Sequence, residues 1–283
     1  MSEFLHALRH TDFVPLAVAA ALLTSVSAGV VGTFTVVRRL TYVAGGIAHC
    51  VFGGIGAAVY LREAHGWTWL HPLHGAVAVA LAAAAVIAWV SLRLKEREDT
   101  IIGALWAVGM AAGVLFLSRA PGYQQGLADY LFGDILLVRP AHLWMLGILD
   151  VAVLLVTLAF YKQFLAVCFD EEFARARGVR TEFYYILLLV LIALTVVLMI
   201  TVVGIVLLIA LLTLPVGIAG RCTRRLGRIM VWAIVLDAVF MVGGLALSYP
   251  AYLPSGPTAV VLAGAAYLLT AAGCGLWRRC RRT

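Results

Sequence analysis

Residues 169–178 read FDEEFARARG, a short polar stretch between two long apolar segments at residues 140–160 and 183–203. Acidic residues come first, basic residues follow and a glycine ends the stretch, in the order Asp170, Glu171, Glu172, Phe173, Arg175, Arg177 and Gly178. An aspartate can cap the first turn of a helix, charges in this order complement the helix dipole, and glycine permits the left-handed residue that ends a helix. The pattern predicts a capped helix of about two turns.

So short a helix is marginally stable alone in water, and we therefore expect it to dock on another surface. Because it lies between segments long enough to cross a membrane, a soluble partner protein is one candidate. The alternative is an ordinary loop helix lying at the lipid headgroups. Residues 169–178 by themselves favour neither interpretation.

The composition identifies an integral membrane protein. Of the 283 residues, 64% are hydrophobic and 12% are charged, a balance that excludes a soluble globular protein. Apolar runs recur at residues 14–37, 41–61, 73–92, 100–118, 140–160, 183–203, 204–220, 229–248 and 258–277. Runs of this length suit helices that cross roughly 30 Å of hydrocarbon, so we predict an all-α bundle of about nine transmembrane helices in one domain, residues 1–283. If residues 183–220 form one long helix, the number is eight.

Lysine and arginine predict the orientation. With residues 169–178 placed in the cytoplasm, 17 of the 21 Lys and Arg residues fall on the cytoplasmic side and four on the other. This bias indicates an N-terminus outside and a C-terminus in the cytoplasm. The net charge of +7 is explained by the bias and by attraction to anionic lipid. Nucleic acid is not an expected partner, because the charges are spread over short loops without interleaved aromatic residues.

Three ionisable residues lie near the middle of predicted spans: His49, Asp150 and Asp237. A charged side chain there costs roughly 2.5–3.5 kcal/mol, so such residues usually face a cavity or a partner. A neutral imidazole is the commonest metal ligand, which makes His49 a candidate for the translocation path; the alternative is a buried histidine bonded to a carbonyl. Asp150 and Asp237 are further candidates for a cation or proton site, although the residues alone favour a structural hydrogen bond between helices.

Glycines surround His49 along its predicted helix. Gly45 and Gly53 lie one turn before and after it, and Gly46 and Gly56 extend the row of small residues. Small residues let another helix or a substrate approach closely, so we expect close packing beside a pore here.

The chain lacks the sequence motifs of an ATPase or a metalloprotease. It contains neither a G-x-x-x-x-G-K-[ST] phosphate loop nor an H-E-x-x-H sequence, and it offers no globular domain. We therefore expect a transport subunit and not an enzyme. Its energy must come from an ion gradient or from a separate partner subunit.

Five stretches, taken in order, resemble motifs of the membrane permease subunits of ATP-binding cassette importers for zinc, manganese and related divalent metals. They are RRL at 38–40 with GGIAH at 45–49, LFGDI at 131–135, FDEEFARARG at 169–178, VGIVLL at 203–208 with LP at 214–215, and LPSGPT at 253–258. Each motif is weak alone, but five in the right order are strong together. The resemblance covers about residues 14–270.

The resemblance implies a homodimeric pore in a bacterial or archaeal cytoplasmic membrane, working by alternating access. A cytoplasmic ATPase subunit would receive residues 170–178 as a coupling helix. An extracytoplasmic metal-binding protein would deliver the cargo. The divalent metal is then the transported substrate, and no permanently bound cofactor is expected.

The chain departs from this family at Gly45, where members often carry an aspartate one turn before the motif histidine. The resemblance therefore assigns a metal role to His49 but no carboxylate beside it. Two copies of His49 across a dimer axis, or a carboxylate from Asp150 or Asp237, remain open. So do a metal chelate or vitamin as cargo, and an ion-coupled secondary carrier that uses one of the two aspartates.

Overall fold

The computed structural model describes residues 2–11, 13–94, 98–121, 133 and 135–280. Its helices are α1 (Ser2–His10), α2 (Phe13–Val37), α3 (Thr41–His65), α4 (Pro72–Trp89), α5 (Glu98–Arg119), α6 (Pro140–Ala159), α7 (Tyr161–Phe169), α8 (Glu171–Ala176), α9 (Thr181–Cys222), α10 (Leu226–Ala251) and α11 (Ser255–Cys280). A π-helical turn at Val90–Leu94 extends α4, and a 3-10 turn at Ile135–Leu137 precedes α6. Of the LFGDI motif, residues 131, 132 and 134 lie outside the described residues.

The all-α membrane architecture is confirmed. Within the described ranges there is no strand, and eight helices are long and apolar enough to cross a membrane. Each predicted apolar run falls on one helix, except that residues 183–203 and 204–220 share α9. The number of spans therefore depends on the path of this 42-residue helix.

Helix α9 is folded back on itself at Gly204. This residue has φ 75° and ψ 170°, a conformation that glycine adopts without a steric penalty. Near the start of α9, the ring of Tyr185 lies 5.7 Å from the guanidinium carbon of Arg38, and further along, a Cβ at Gly32 would lie 2.7 Å from the carbonyl oxygen of Leu212. A straight helix would separate residues 185 and 212 by about 40 Å, whereas residues 32 and 38 are only about 9 Å apart along a helix. The two arms therefore run side by side, which agrees with nine crossings.

The bundle has two central helices. Helix α2 packs against α6, α9 and α10, while α3 packs against α4, α5 and α9. Among the described spans, α5 and α11 are the most exposed, which leaves their outer faces for lipid or for a partner. The long α9 touches both central helices and joins the two halves of the core.

Helices α1 and α8 lie at opposite ends of the bundle. The rings of Phe4 in α1 and Tyr249 near the end of α10 are 6.2 Å apart. The start of α10 lies at the other end, where the hydroxyl of Tyr161 in α7 would be 3.3 Å from a Cβ at Gly227. This arrangement places the N-terminal helix and the predicted coupling helix on different sides, as the predicted orientation requires.

Candidate functional site

The predicted capped helix is confirmed as α8. Asp170 caps it, because its Oδ1 accepts the N–H of Phe173 at 2.9 Å. At the other end Gly178 adopts φ 81°, and its N–H donates to the carbonyl oxygen of Arg175 at 3.0 Å. The two ends of the helix are therefore set by residues of the 169–178 stretch itself.

A polar clamp of Arg38, Glu171, Arg175 and Thr181 fastens α8 to the bundle. Arg38, directly after α2, pairs with Glu171 and donates to the carbonyl oxygen of Val167 at 2.5 Å. Glu171 also accepts from Arg175 at 3.1 Å, and the Nε of Arg175 lies 3.4 Å from the hydroxyl of Thr181. The clamp therefore connects α8 to the end of α2, the end of α7 and the start of α9.

The face of α8 away from the clamp is open and, together with the end of α7, partly apolar. Phe169 and Phe173 are 65% and 54% exposed, although both are large apolar side chains. The guanidinium carbon of Arg177 lies 4.8 Å from the ring centre of Phe173, and Glu172 is exposed beside it. Exposed aromatic residues with arginine are the composition expected of a protein-binding surface.

The glycines of α3 bring two helices into backbone contact. A Cβ at Gly53 would lie 2.7 Å from the carbonyl oxygen of Gly109, and one at Gly56 equally close to that of Gly113. Gly46 is also close to α5, but there its neighbour is the side chain of Ile102. We call this contact between α3 and α5 the glycine seam.

Gly45 does not belong to the glycine seam. A Cβ built at Gly45 would meet only the Cδ1 of Ile209, at 4.0 Å. The position is buried but has room for a small side chain. Of the four glycines singled out from the sequence, three fill helix contacts and one leaves room beside His49.

His49 lies on a half-exposed strip of α3 and α5. Its ring stacks on Trp106, with ring centres 4.1 Å apart and planes at 9°. Tyr42, 43% exposed, lies two turns earlier on the same face of α3, with its ring centre 6.1 Å from that of Trp106. The buried Nδ1 of His49 has no hydrogen-bond partner among the described residues. These residues and Gly45 form what we call the His49 strip.

Asp150 and Asp237 lie elsewhere, around α2. Asp150 is buried on α6 beside Ser27, and Asp237 is fully buried on α10, one turn past Ile234, which packs against α2. Neither carboxylate makes a hydrogen bond of normal geometry within the described residues. Helices α6 and α10 are not major neighbours of α3, so the structure does not bring these carboxylates to His49.

The described residues contain no ready-made metal cage. No three His, Cys, Asp or Glu side chains within them lie close enough to hold an ion together. The His49 strip therefore offers one partly exposed imidazole per chain. Such a site suits transient contact with an ion that keeps most of its other ligands.

Sequence reasoning missed two residues that contact the predicted ones. Trp106 contacts His49 from another helix, and Arg38 pairs with Glu171 across 133 positions of sequence. Arg38 stood in a quoted motif, but nothing in its spacing indicated a partner. Trp106 carried no signal, because a tryptophan in an apolar run is unremarkable.

Comparison with known proteins gives consistent matches over nearly the whole chain. Residues 10–273 match the model of the ABC 3 transport family. The chain is 39% identical over 251 residues to a probable metal transport system membrane protein of Chlamydia trachomatis, covering 89% of this chain and 85% of the relative. It is 31% identical over 260 residues to the manganese transport system membrane protein MntC of Listeria monocytogenes, covering 92% and 90%.

A solved structure matches the fold. It is described as PsaBC from Streptococcus pneumoniae in complex with Fab, and the matching chain is 29% identical in sequence. The TM-score is 0.83, with 95% of this chain and 94% of the other chain covered. The helical bundle, including its folded-back α9, is therefore similar to a known architecture along its length.

Proposed function

Because this chain belongs to the ABC 3 transport family, we propose that it is the permease subunit of an ATP-driven importer of divalent metal ions. The family match over residues 10–273 carries this proposal, and relatives named for metal and manganese transport support the class of cargo. Zinc, manganese and iron are the candidate metals. The chain works in the cytoplasmic membrane, with its N-terminus outside and its C-terminus in the cytoplasm.

The energy comes from a separate cytoplasmic ATPase that binds α8. The open face of Phe169, Phe173 and Arg177 provides the docking surface, and Asp170 and Gly178 keep the helix short and rigid. Two copies of the chain form the pore, and an extracytoplasmic metal-binding protein delivers the ion. This chain supplies no covalent chemistry of its own.

Movement of α8 reaches the pore through the polar clamp. Arg38 directly follows α2, and α3 begins at Thr41 after a tight turn in which Arg39 has φ 63°. His49 lies about two turns into α3. An ATPase that moves α8 therefore also moves the start of α3, the helix that carries His49. This connection couples the ATPase to alternating access.

His49 is the proposed metal contact, because it combines a neutral nitrogen ligand with partial exposure. One imidazole per chain binds an ion weakly enough to release it, which a transport path requires. Two copies of His49 in a homodimer would double the contact. Asp150 and Asp237 lie in the packing of α2 and take no part in this proposal.

The test is metal uptake by the complete transporter carrying His49→Ala. We expect uptake of radioactive Mn²⁺ into proteoliposomes to fall by at least about tenfold, since loss of even an outer-shell partner of a metal ligand costs about 10–100-fold. Capture of the ATPase should be unchanged, and His142→Ala, at the outer end of α6, serves as control. Normal uptake by His49→Ala would remove the metal contact, and uphill uptake without any ATPase would favour a secondary carrier.

A further inference from the structure

We propose that Trp106 is a positioning residue that holds the His49 imidazole in the orientation that contacts the transported metal ion. The inference rests on the proposed function, because it gives a role to the neighbour of the proposed metal contact. It explains how the His49 imidazole is oriented when no carboxylate lies beside it.

The geometry of the stack is set by the backbone. His49 lies one turn before Gly53, and Trp106 lies one turn before Gly109, so the contact between these two glycines fixes the separation of the helices at this level. Backbone atoms in contact cannot slide without steric clashes. The indole is therefore held at a fixed height and distance from the imidazole.

His49 lacks the usual device for orienting a metal-binding histidine. Such a histidine almost always donates its second ring N–H to a carboxylate, a carbonyl or water. The buried Nδ1 of His49 has no such partner among the described residues. A parallel indole at 4.1 Å and 9° restricts the plane of the imidazole instead, and with it the direction of the lone pair that a metal would use.

The stack also favours the metal-bound state. A metal ion bound to the imidazole places positive charge beside the face of the indole, and tryptophan is the best of the aromatic side chains at attracting a cation. Tyr42 contacts Trp106 from the inner end of the strip, so the indole meets α3 at two levels, at Tyr42 and at His49. Trp106 therefore acts through His49 and needs no direct bond to the ion.

The decisive experiment compares Trp106→Leu with Trp106→Phe in the complete transporter, with Mn²⁺ as the probe. We expect Trp106→Leu to raise the KM of uptake by about two- to twelvefold, the range that an aromatic pair contributes. The maximal rate should be retained, and the KM of Trp106→Phe should stay close to the wild-type value. The control is Trp144→Leu on α6, a residue that is 77% exposed and remote from α3, which should leave KM unchanged.

A purely structural role predicts a different result. Trp106→Leu would then lower thermal stability and the maximal rate while leaving KM at the wild-type value, and this outcome overturns the proposal. If His49→Ala loses uptake while Trp106→Leu keeps its KM, the metal contact survives and the positioning role does not. If His49→Ala transports normally, His49 is not the metal contact, and the role proposed for Trp106 is disproved as well.

A second measurement uses the fluorescence of the native Trp106 side chain and does not depend on transport kinetics. The emission of Trp106 in the permease–ATPase complex is obtained by subtracting that of the Trp106→Phe complex. Added Co²⁺, a paramagnetic quencher, should quench this component in the wild type and leave it unquenched in His49→Gln. Quenching that persists in His49→Gln would overturn the proposal, as would absence of quenching in the wild type.

Discussion

The polar clamp and the glycine seam hold two parts of this molecule in opposite ways. The clamp joins α8 to α2 through charged groups, and the side chains of Arg38 and Glu171 keep 19% and 31% of their surface exposed. The seam joins α3 to α5 through backbone atoms, with no polar side chain between Gly53 and Gly109. Water can take the place of a partner in the clamp, but it cannot enter between two touching backbones.

This difference assigns movement to one region and rigidity to the other. A cavity of about 540 Å³ borders the clamp between Glu171, Tyr185 and the π-helical turn after α4. Helix α8 therefore has both exchangeable contacts and room to shift. The seam has no such freedom, because the backbones of α3 and α5 touch at Gly53 and Gly109.

The largest expected effect comes from placing a side chain in the glycine seam. Gly53→Leu would drive its Cβ against the carbonyl oxygen of Gly109, and we expect it to lower the free energy of unfolding by about 3 kcal/mol or more. Thermal unfolding in detergent measures this effect. The control is Gly45→Ala, whose new methyl group meets nothing closer than 4.0 Å and should leave stability unchanged. Equal stability of the two variants would disprove the rigid seam.

The next largest effect is expected from reversing a charge in the clamp. Glu171→Arg breaks a pair worth about 1.5–3 kcal/mol, so coupled metal uptake should fall by about 10- to 150-fold while the folded bundle persists. The double variant Arg38→Glu with Glu171→Arg should recover part of the loss. Glu63→Arg, which breaks the exposed pair with Arg62 at the other end of the bundle, is the control. If Glu171→Arg and Glu63→Arg reduce uptake equally, the clamp does not couple the ATPase to transport.

The last prediction leaves the sequence unchanged and concerns the thiol beside the clamp. Burial raises the pKa of Cys168 to about 11, although the nearby Arg38 opposes the shift. Only the thiolate reacts, so maleimide labelling of Cys168 at pH 8 should be about 100-fold slower than that of an exposed thiol such as Cys222. The rate should rise about tenfold per pH unit up to pH 10. Equal labelling of the two cysteines at pH 8, followed by mass spectrometry, would mean that the clamp region is open.

Local patterns predicted the helices and their ends well. The capped helix at α8 was predicted from residues 169–178, because its stop and start signals lie within the helix itself. The apolar block at residues 183–220 allowed two spans or one long helix, and the non-helical Gly204 favours two. Capping and apolar length are short-range properties, and a single sequence contains all the information that they need.

The surroundings of the ionisable residues were not predictable in this way. His49, Asp150 and Asp237 shared one signal, an ionisable group in an apolar run, yet only His49 faces a partly open strip. Whether such a group faces a strip or a closed contact depends on which helices become neighbours. Composition and periodicity carry no information about that choice.

By itself, the sequence determined that this chain is a membrane-spanning helical bundle with a short capped helix between two spans. Hydrophobic length and end-capping act over a few residues, so they can be read directly. Only the tertiary structure decided that Arg38 holds α8 and that Trp106 lies on His49. Those pairs form because helices distant in sequence pack closely. The glycines permit this packing, but their positions in the sequence do not indicate which helix will lie against them.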